Sequence, residues 1–258
     1  MRFKKILSTV FLALLVISCT TAPISGRKQL LLVDEGPLIQ QSYAQYNQVL
    51  NKSTVLNNAD ARLVKKVGNN IARAVEQYFK MHPEERRSQI KYQWEFNLIK
   101  NNTPNAWCMP GGKVAFYTGI LPYTKNETGI AVVMSHEIAH AIAQHSREQQ
   151  SQSILQNGVG AILGAAFGVP QDLYGSASNL LMLGYSRRQE TEADELGLIF
   201  MKLAGYNPNY ALTFWEGMSK ANGGGQSAEI LSTHPNDQKR IANIRNFLKS
   251  EKFLNIKK

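Results

Sequence analysis

The sequence predicts an α+β fold, mostly helical with a small antiparallel sheet, and three observations carry that prediction. Leu63, Val67, Ile71, Ala74, Val75 and Tyr78 recur at three- and four-residue steps, the period of a helix that buries one stripe. Residues 91–98 alternate instead, with Tyr92, Trp94, Phe96 and Leu98 on one side and Lys91, Gln93, Glu95 and Asn97 on the other, as in a half-buried strand. Thr124 with Glu127, and Ser186 with Gln189, have the spacing of capping boxes that open two further helices. A hydrophobic fraction of 43% in 258 residues supplies the core of a globular domain and excludes a disordered chain. No repeat recurs at a fixed period.

The elements follow in order. Met1 to Lys5 is basic, and Ile6 to Ile17 is an apolar run of signal-peptide length, too short to span a bilayer. Val16-Ile17-Ser18-Cys19 resembles the bacterial lipobox, which implies cleavage before Cys19 and lipid on its thiol; an ordinary secretory signal is the alternative. Residues 1–18 therefore read as a lipoprotein signal peptide, 19–40 as a lipidated tether, and 41–258 as one domain. Thr20 follows the cysteine, and by resemblance to enterobacterial lipoproteins it directs the chain to the periplasmic face of the outer membrane. With Cys19 lipidated, Cys108 has no partner in the chain and reads as a buried small apolar residue.

A helix is expected from Ala59 to Lys80 and a strand from Lys91 to Leu98. A turn at 101–105, a short extended piece from Ala106 to Met109, a second turn at Pro110-Gly111-Gly112 and a strand from Lys113 to Thr118 come next. The two strands are expected to pair antiparallel. One helix is expected to run from about Lys125 to Gln149, and a second through Glu190 and Asp194 to Leu203, stopped by Gly205. Asn207-Pro208 should start another, reaching Asn222. The segment 159–168 is too short to span a membrane and reads as a packed helix, with a lid or a membrane-touching surface as alternatives. The tail from Pro235 is basic and helical.

The net charge is +10, and loss of Arg2, Lys4 and Lys5 with the signal takes it to +7. Such a surface suits anionic headgroups or acidic substrates as well as plain solvation. No motif supports nucleic-acid binding.

Chemistry concentrates in His136-Glu137-Ile138-Ala139-His140. At about 100° per residue, histidines four apart lie about 40° apart on one helix face, so both imidazoles reach one metal ion. The intervening glutamate acts in such sites on water, whose pKa zinc lowers towards about 7, rather than on the metal. A third ligand must come from elsewhere. His145 lies about 180° around the helix from His136 and reads as a surface residue. Glu190 and Asp194 share a face of the second capped helix, and a carboxylate there completes a two-histidine, one-carboxylate site with an open position. Asp194 is then placed to orient a ligand imidazole. Glu192 points away from that stripe and should be solvated. The strand beginning at Asn105 and Ala106 offers an edge on which a peptide can add as a β-strand, with a simple hairpin strand as the alternative.

The ordered series Asn105-Ala106, Pro110-Gly111-Gly112-Lys113-Val114, Tyr117-Thr118-Gly119, the His-Glu-x-x-His pentapeptide, Ser186-Arg187 with Glu190 and Asp194, and Ser232-Thr233-His234-Pro235 with Arg240-Ile241 resembles the membrane-associated gluzincin metallopeptidases. That family includes HtpX, the CaaX prenyl protease and the mitochondrial Oma protease, and the likeness is to its periplasmic lipoprotein members. It runs from about Val55 to Phe247 and implies a zincin-type metallopeptidase domain within 41–258. It implies one Zn2+ held by His136, His140 and Glu190, base and acid duty at Glu137 and support from Asp194. His234 lies in a motif near the family's active site; it either stabilises the oxyanion of the attacked carbonyl or occupies the open zinc position and holds the enzyme latent, unless it is simply a helix-entry residue. Arg240 is a possible supporting residue beside it. Taken with the location, the resemblance implies polypeptide substrates, unfolded or mis-assembled envelope proteins, and contact with outer-membrane assembly machinery. The alternative is a non-catalytic, chaperone-like assembly lipoprotein on a protease fold.

Overall fold

The computed structural model describes residues 19–88, 90–167, 185–222, 230, 234 and 238–256. The signal segment, the side chains of Cys19 and of 157–167, and Ser232, Thr233 and Pro235 lie outside the described residues.

A hairpin of β1 (Cys19–Thr21) and β2 (Lys28–Leu30) opens the chain, followed by helix α1 (Glu35–Asn51). The segment read as a tether thus carries secondary structure, and Ala22, Gln29 and Leu38 within it are buried. Helix α2 (Ala59–Met81) is the expected amphipathic helix, opened by Asn58, whose side chain accepts from the Ala61 amide. Its stripe Val64, Val67, Ile71, Val75 and Phe79 is buried, while Lys65, Lys66, Arg73 and Lys80 face out.

Strands β3 (Glu95–Ile99), β4 (Ala106–Met109) and β5 (Lys113–Tyr117) form one sheet in the order β3-β5-β4. The expected antiparallel pairing of the two longer strands is corrected: β3 and β5 run parallel, with Phe96 opposite Val114. The reason is β4. It runs opposite to both and forms a hairpin with β5, Cys108 opposite Val114, so the chain reverses twice, before β4 and after it, and β5 enters the middle of the sheet in the direction of β3. The antiparallel part of the sheet is that β4–β5 hairpin.

After a short helix α3 (Leu121–Thr124), α4 (Glu127–Ile142) runs through the centre of the molecule. Its cap is Asn126, whose side chain accepts from the Gly129 amide, and not the expected Thr124, which ends α3. Every residue from Gly129 to Ile142 is buried. The single helix expected to reach Gln149 is broken: Gln144 takes φ 56°, and α5 (His145–Phe167) starts on a new axis. No described helix is long and apolar enough to cross a membrane.

Helix α6 (Arg187–Leu203) opens with the complete capping box of Ser186 and Gln189 and ends where Gly205 takes φ 86°, conformations that the sequence anticipated. Helix α7 (Tyr210–Asn222) begins two residues beyond Pro208, after a turn in which the Asn207 side chain accepts from the Asn209 amide. Helices α8 (Gln238–Leu248) and α9 (Glu251–Leu254) end the described chain. The main core joins α2, α4, α6, α7 and the inner face of the sheet. Helix α4 packs most extensively on α6. They approach closely at Gly197, where a Cβ would come within 3.2 Å of the His136 amide nitrogen.

Candidate metal centre

That close approach sets the site. Gly197 lies one turn beyond Asp194 and two beyond Glu190, so the face of α6 that touches α4 presents both carboxylates to His136 and His140. His136 Nε2 and His140 Nε2 stand 3.0 Å apart. Glu190 places Oε2 at 3.4 Å from the first and Oε1 at 3.4 Å from the second. Ligand atoms about 2.1 Å from one zinc ion in a tetrahedron are separated by about 3.4 Å. The triad therefore has the dimensions of a zinc site.

Two oxygens support the fit. Glu137 Oε1 and Glu190 Oε2 are buried and receive no hydrogen bond. Arg240 faces Glu190 Oε2 from one side, and a cation at the point where the ring nitrogens and carboxylate oxygens converge would engage the remaining lone pairs. One zinc ion at that point would be held by His136, His140 and Glu190 together.

Charged groups surround these side chains. Asp194 Oδ1 is 3.1 Å from His136 Nδ1, which leaves Nε2 for the metal. Arg240, from α8, donates Nε to Asp194 Oδ2 at 2.7 Å and Nη2 to Oδ1 at 2.8 Å, and its Nη1 lies 3.1 Å from Glu190 Oε2. Its guanidinium lies 3.6 Å above the ring of Trp215 on α7. Burial raises the Asp194 carboxyl, but Arg240 and His136 outweigh it and hold the group below its ordinary value. Glu137 goes the other way: burial lifts its carboxyl above the ordinary range, against the pull of His234 and His136. A carboxylate lifted in this way is closer to the range of a working base.

His234 reaches the same point. Its Nδ1 lies 3.1 Å from His136 Nε2 and 2.9 Å from Glu190 Oε1, and its Nε2 lies 3.4 Å from Glu137 Oε1. The donor atoms of His136, His140, Glu190 and His234 all fall within 4.8 Å of one another. Ala106 opens β4, the edge strand that packs against α4, and Asn105 immediately precedes it. Both are buried, and the Ala106 amide donates to Asn105 Oδ1 at 2.8 Å. Cys108 is a free, buried cysteine, as expected from its lack of a partner.

Two sequence readings are corrected here. His145 is fully buried, because the helix breaks at Gln144 and leaves His145 beside His140, its Nδ1 2.8 Å from His140 Nδ1. Glu192 is also buried, not solvated. It does point away from Glu190 and Asp194, but that side of α6 faces His145 and the β1–β2 hairpin instead of water. Tyr185, which stacks on His140 at 3.9 Å between ring centroids, was missed as well; nothing in its local sequence marks it.

A helix-borne pair of histidines with an adjacent glutamate, completed by a carboxylate from a second helix, is the ligand arrangement of zinc metallopeptidases. The chain belongs to peptidase family M48, whose model matches residues 58–248. It is 41% identical over 162 residues to the mitochondrial metalloendopeptidase OMA1 of Schizosaccharomyces pombe, a match covering 60% of this chain and 47% of that protein. It is 31% identical over 171 residues to the beta-barrel assembly-enhancing protease of Escherichia coli, covering 62% of this chain and 35% of the other. The match to the mitochondrial OMA1 of Bos taurus extends over 86% of this chain at 26% identity and covers 45% of that protein. The chain spans less than half the length of these relatives.

Proposed function

We propose that the chain is a zinc-dependent endopeptidase of the bacterial cell envelope, hydrolysing peptide bonds of unfolded or mis-assembled envelope proteins. The observation that carries the reading is the convergence of His136, His140 and Glu190 at zinc-ligand spacing, with Glu137 Oε1 left without a hydrogen bond beside them. When bound, zinc supplies a Lewis acid that polarises a peptide carbonyl and acidifies water. His136, His140 and Glu190 hold it. Glu137 takes the proton at Oε1 and passes it to the leaving amine. Asp194, gripped by Arg240, keeps His136 Nε2 turned to the ion. The edge of β4 at Asn105 and Ala106 receives the substrate as an added strand; the Ala106 amide is already engaged, so the pairing falls to the other main-chain groups of β4.

The envelope assignment draws on the lipobox-like Cys19 with Thr20, which would anchor the chain by lipid to the periplasmic face of the outer membrane after loss of residues 1–18. The E. coli relative, by its name, serves β-barrel assembly. Glu137 argues against a purely non-catalytic assembly factor, which has no use for that carboxylate.

A second reading concerns His234. With Nδ1 at the metal point, its ring fills the place of a fourth ligand, which favours a latent enzyme over oxyanion stabilisation. His234→Ala should raise activity; a fall would instead support the oxyanion role, and no change would dismiss both.

The main test is direct. The chain purified from residue 20 onward should contain one zinc and cleave casein, and Glu137→Gln should keep the zinc and lose cleavage. Equal cleavage by both proteins, or absence of zinc from both, overturns the proposal.

A further inference from the structure

The ligand His136 is oriented by Asp194, but the partner of the second ligand, His140, is another histidine. His140 must keep Nε2 unprotonated to serve as a ligand, so its Nδ1 carries the proton. That proton points at His145 Nδ1, 2.8 Å away, which must therefore accept. The proton of His145 then sits on Nε2, which donates to Glu192 Oε2 at 2.9 Å. The same Glu192 carboxyl also receives the Arg27 Nε–H and the Ser25 hydroxyl. Arg27 completes the chain by a two-pronged contact to Glu148, Nη1 to Oε1 at 2.8 Å and Nη2 to Oε2 at 2.7 Å. Gln189, the capping residue next to Glu190, donates to that same Glu148 Oε2 at 2.8 Å.

We infer that Arg27 and Glu192 are positioning residues for the metal centre: through His145 they fix the tautomer and ring angle of His140. Neither touches the ion. Arg27, Glu148 and Glu192 are nearly or fully buried, with side chains 9%, 5% and 4% exposed, which suits a fixed support rather than a solvated ion pair. The chain of contacts spans four pieces of structure: the β1–β2 hairpin (Arg27), α4 (His140), α5 (His145, Glu148) and α6 (Glu192). Arg27 also lies outside the span matched by the family model, residues 58–248, so the hairpin adds to the site from beyond it.

The inference rests on zinc binding at His136, His140 and Glu190. It is tested with the same chain by zinc competition against a chromophoric chelator and by the visible spectrum of the Co2+-loaded protein. Glu192→Gln should bind zinc about 10- to 100-fold more weakly, with a shifted Co2+ spectrum, and should lower kcat more than it raises KM. Glu192→Asp should recover part of the loss. In wild type loaded with zinc, 15N NMR should show His145 protonated at Nε2 and accepting at Nδ1. If Glu192→Gln does not fold, Arg27→Lys, which keeps the charge but not the two-pronged contact, asks the same question and should weaken zinc binding while retaining the secondary-structure signal. Wild-type zinc affinity and an unchanged Co2+ spectrum in the variant that folds, or a His145 proton on Nδ1, overturns the inference. Absence of zinc from wild type would instead overturn the metal centre itself.

Discussion

Helices α2 and α4 lie against each other, and they obey different rules. Helix α2 buries one stripe and shows lysines and arginines to water, so its polar residues need no explanation. Helix α4 is buried all round from Gly129 to Ile142, yet it contains Ser135, His136, Glu137 and His140. A polar group inside a protein costs several kcal/mol unless it finds a partner. On α4 the Ser135 hydroxyl finds the Val132 carbonyl at 3.1 Å, and the two histidines and Glu137 gather at a metal point. The first helix holds the fold and the second spends part of its burial on chemistry.

The sharpest break between the two comes from substitutions of opposite effect. Glu137→Gln on α4 should cost about 10²–10⁴-fold in kcat with little change in melting temperature, checked by kinetics and calorimetry on one preparation. Ile71→Ala on α2, at a site with no exposure, should cost about 2–5 kcal/mol of stability and leave the zinc affinity of the folded fraction intact. Next in size are the caps, which the helices share. Asn58→Ala and Asn126→Ala each remove an acceptor from a first-turn amide and should cost about 1 kcal/mol in denaturant unfolding. Loss of zinc affinity with Asn126→Ala would show that the ends of α4 are less independent of its site than its uniform burial suggests. The smallest effect belongs to Lys66 of α2, paired with Glu127 of α4 at 2.8 Å with side chains 59% and 33% exposed. Lys66→Ala should cost at most about 0.5 kcal/mol, and the difference should fade in high salt.

The same contrast explains what could be read in advance. The stripe of α2 shows in its period, and the capping box of α6 shows in Ser186 and Gln189, because both signals are local. The pentapeptide shows because one turn of helix brings its histidines together. The parallel pairing of β3 with β5 depends on where β4 goes, and no residue of either strand encodes that. The break at Gln144 carries neither glycine nor proline, so a straight helix to Gln149 was the natural expectation. Glu192 shows a different kind of limit. The helical wheel placed it correctly opposite the Glu190–Asp194 stripe. What the wheel could not supply was that α6 is covered on that side too, by Arg27 from a hairpin more than a hundred and fifty residues earlier. The contact of Arg240 with Asp194 likewise joins residues whose meeting no local pattern specifies.

The break at Gln144 has a consequence for anyone borrowing this centre. On an uninterrupted helix, positions five apart diverge by about 140°, and His145 would face away from His140. A pentapeptide grafted onto a smooth designed helix would reproduce the two metal-facing nitrogens but leave His140 without the neighbour it has here. The transferable unit is longer: α4 from Glu127, the break at Gln144, and the first turn of α5 through Glu148. In this molecule a bend is part of the prosthetic site's scaffold, and a designer who straightens it removes a component.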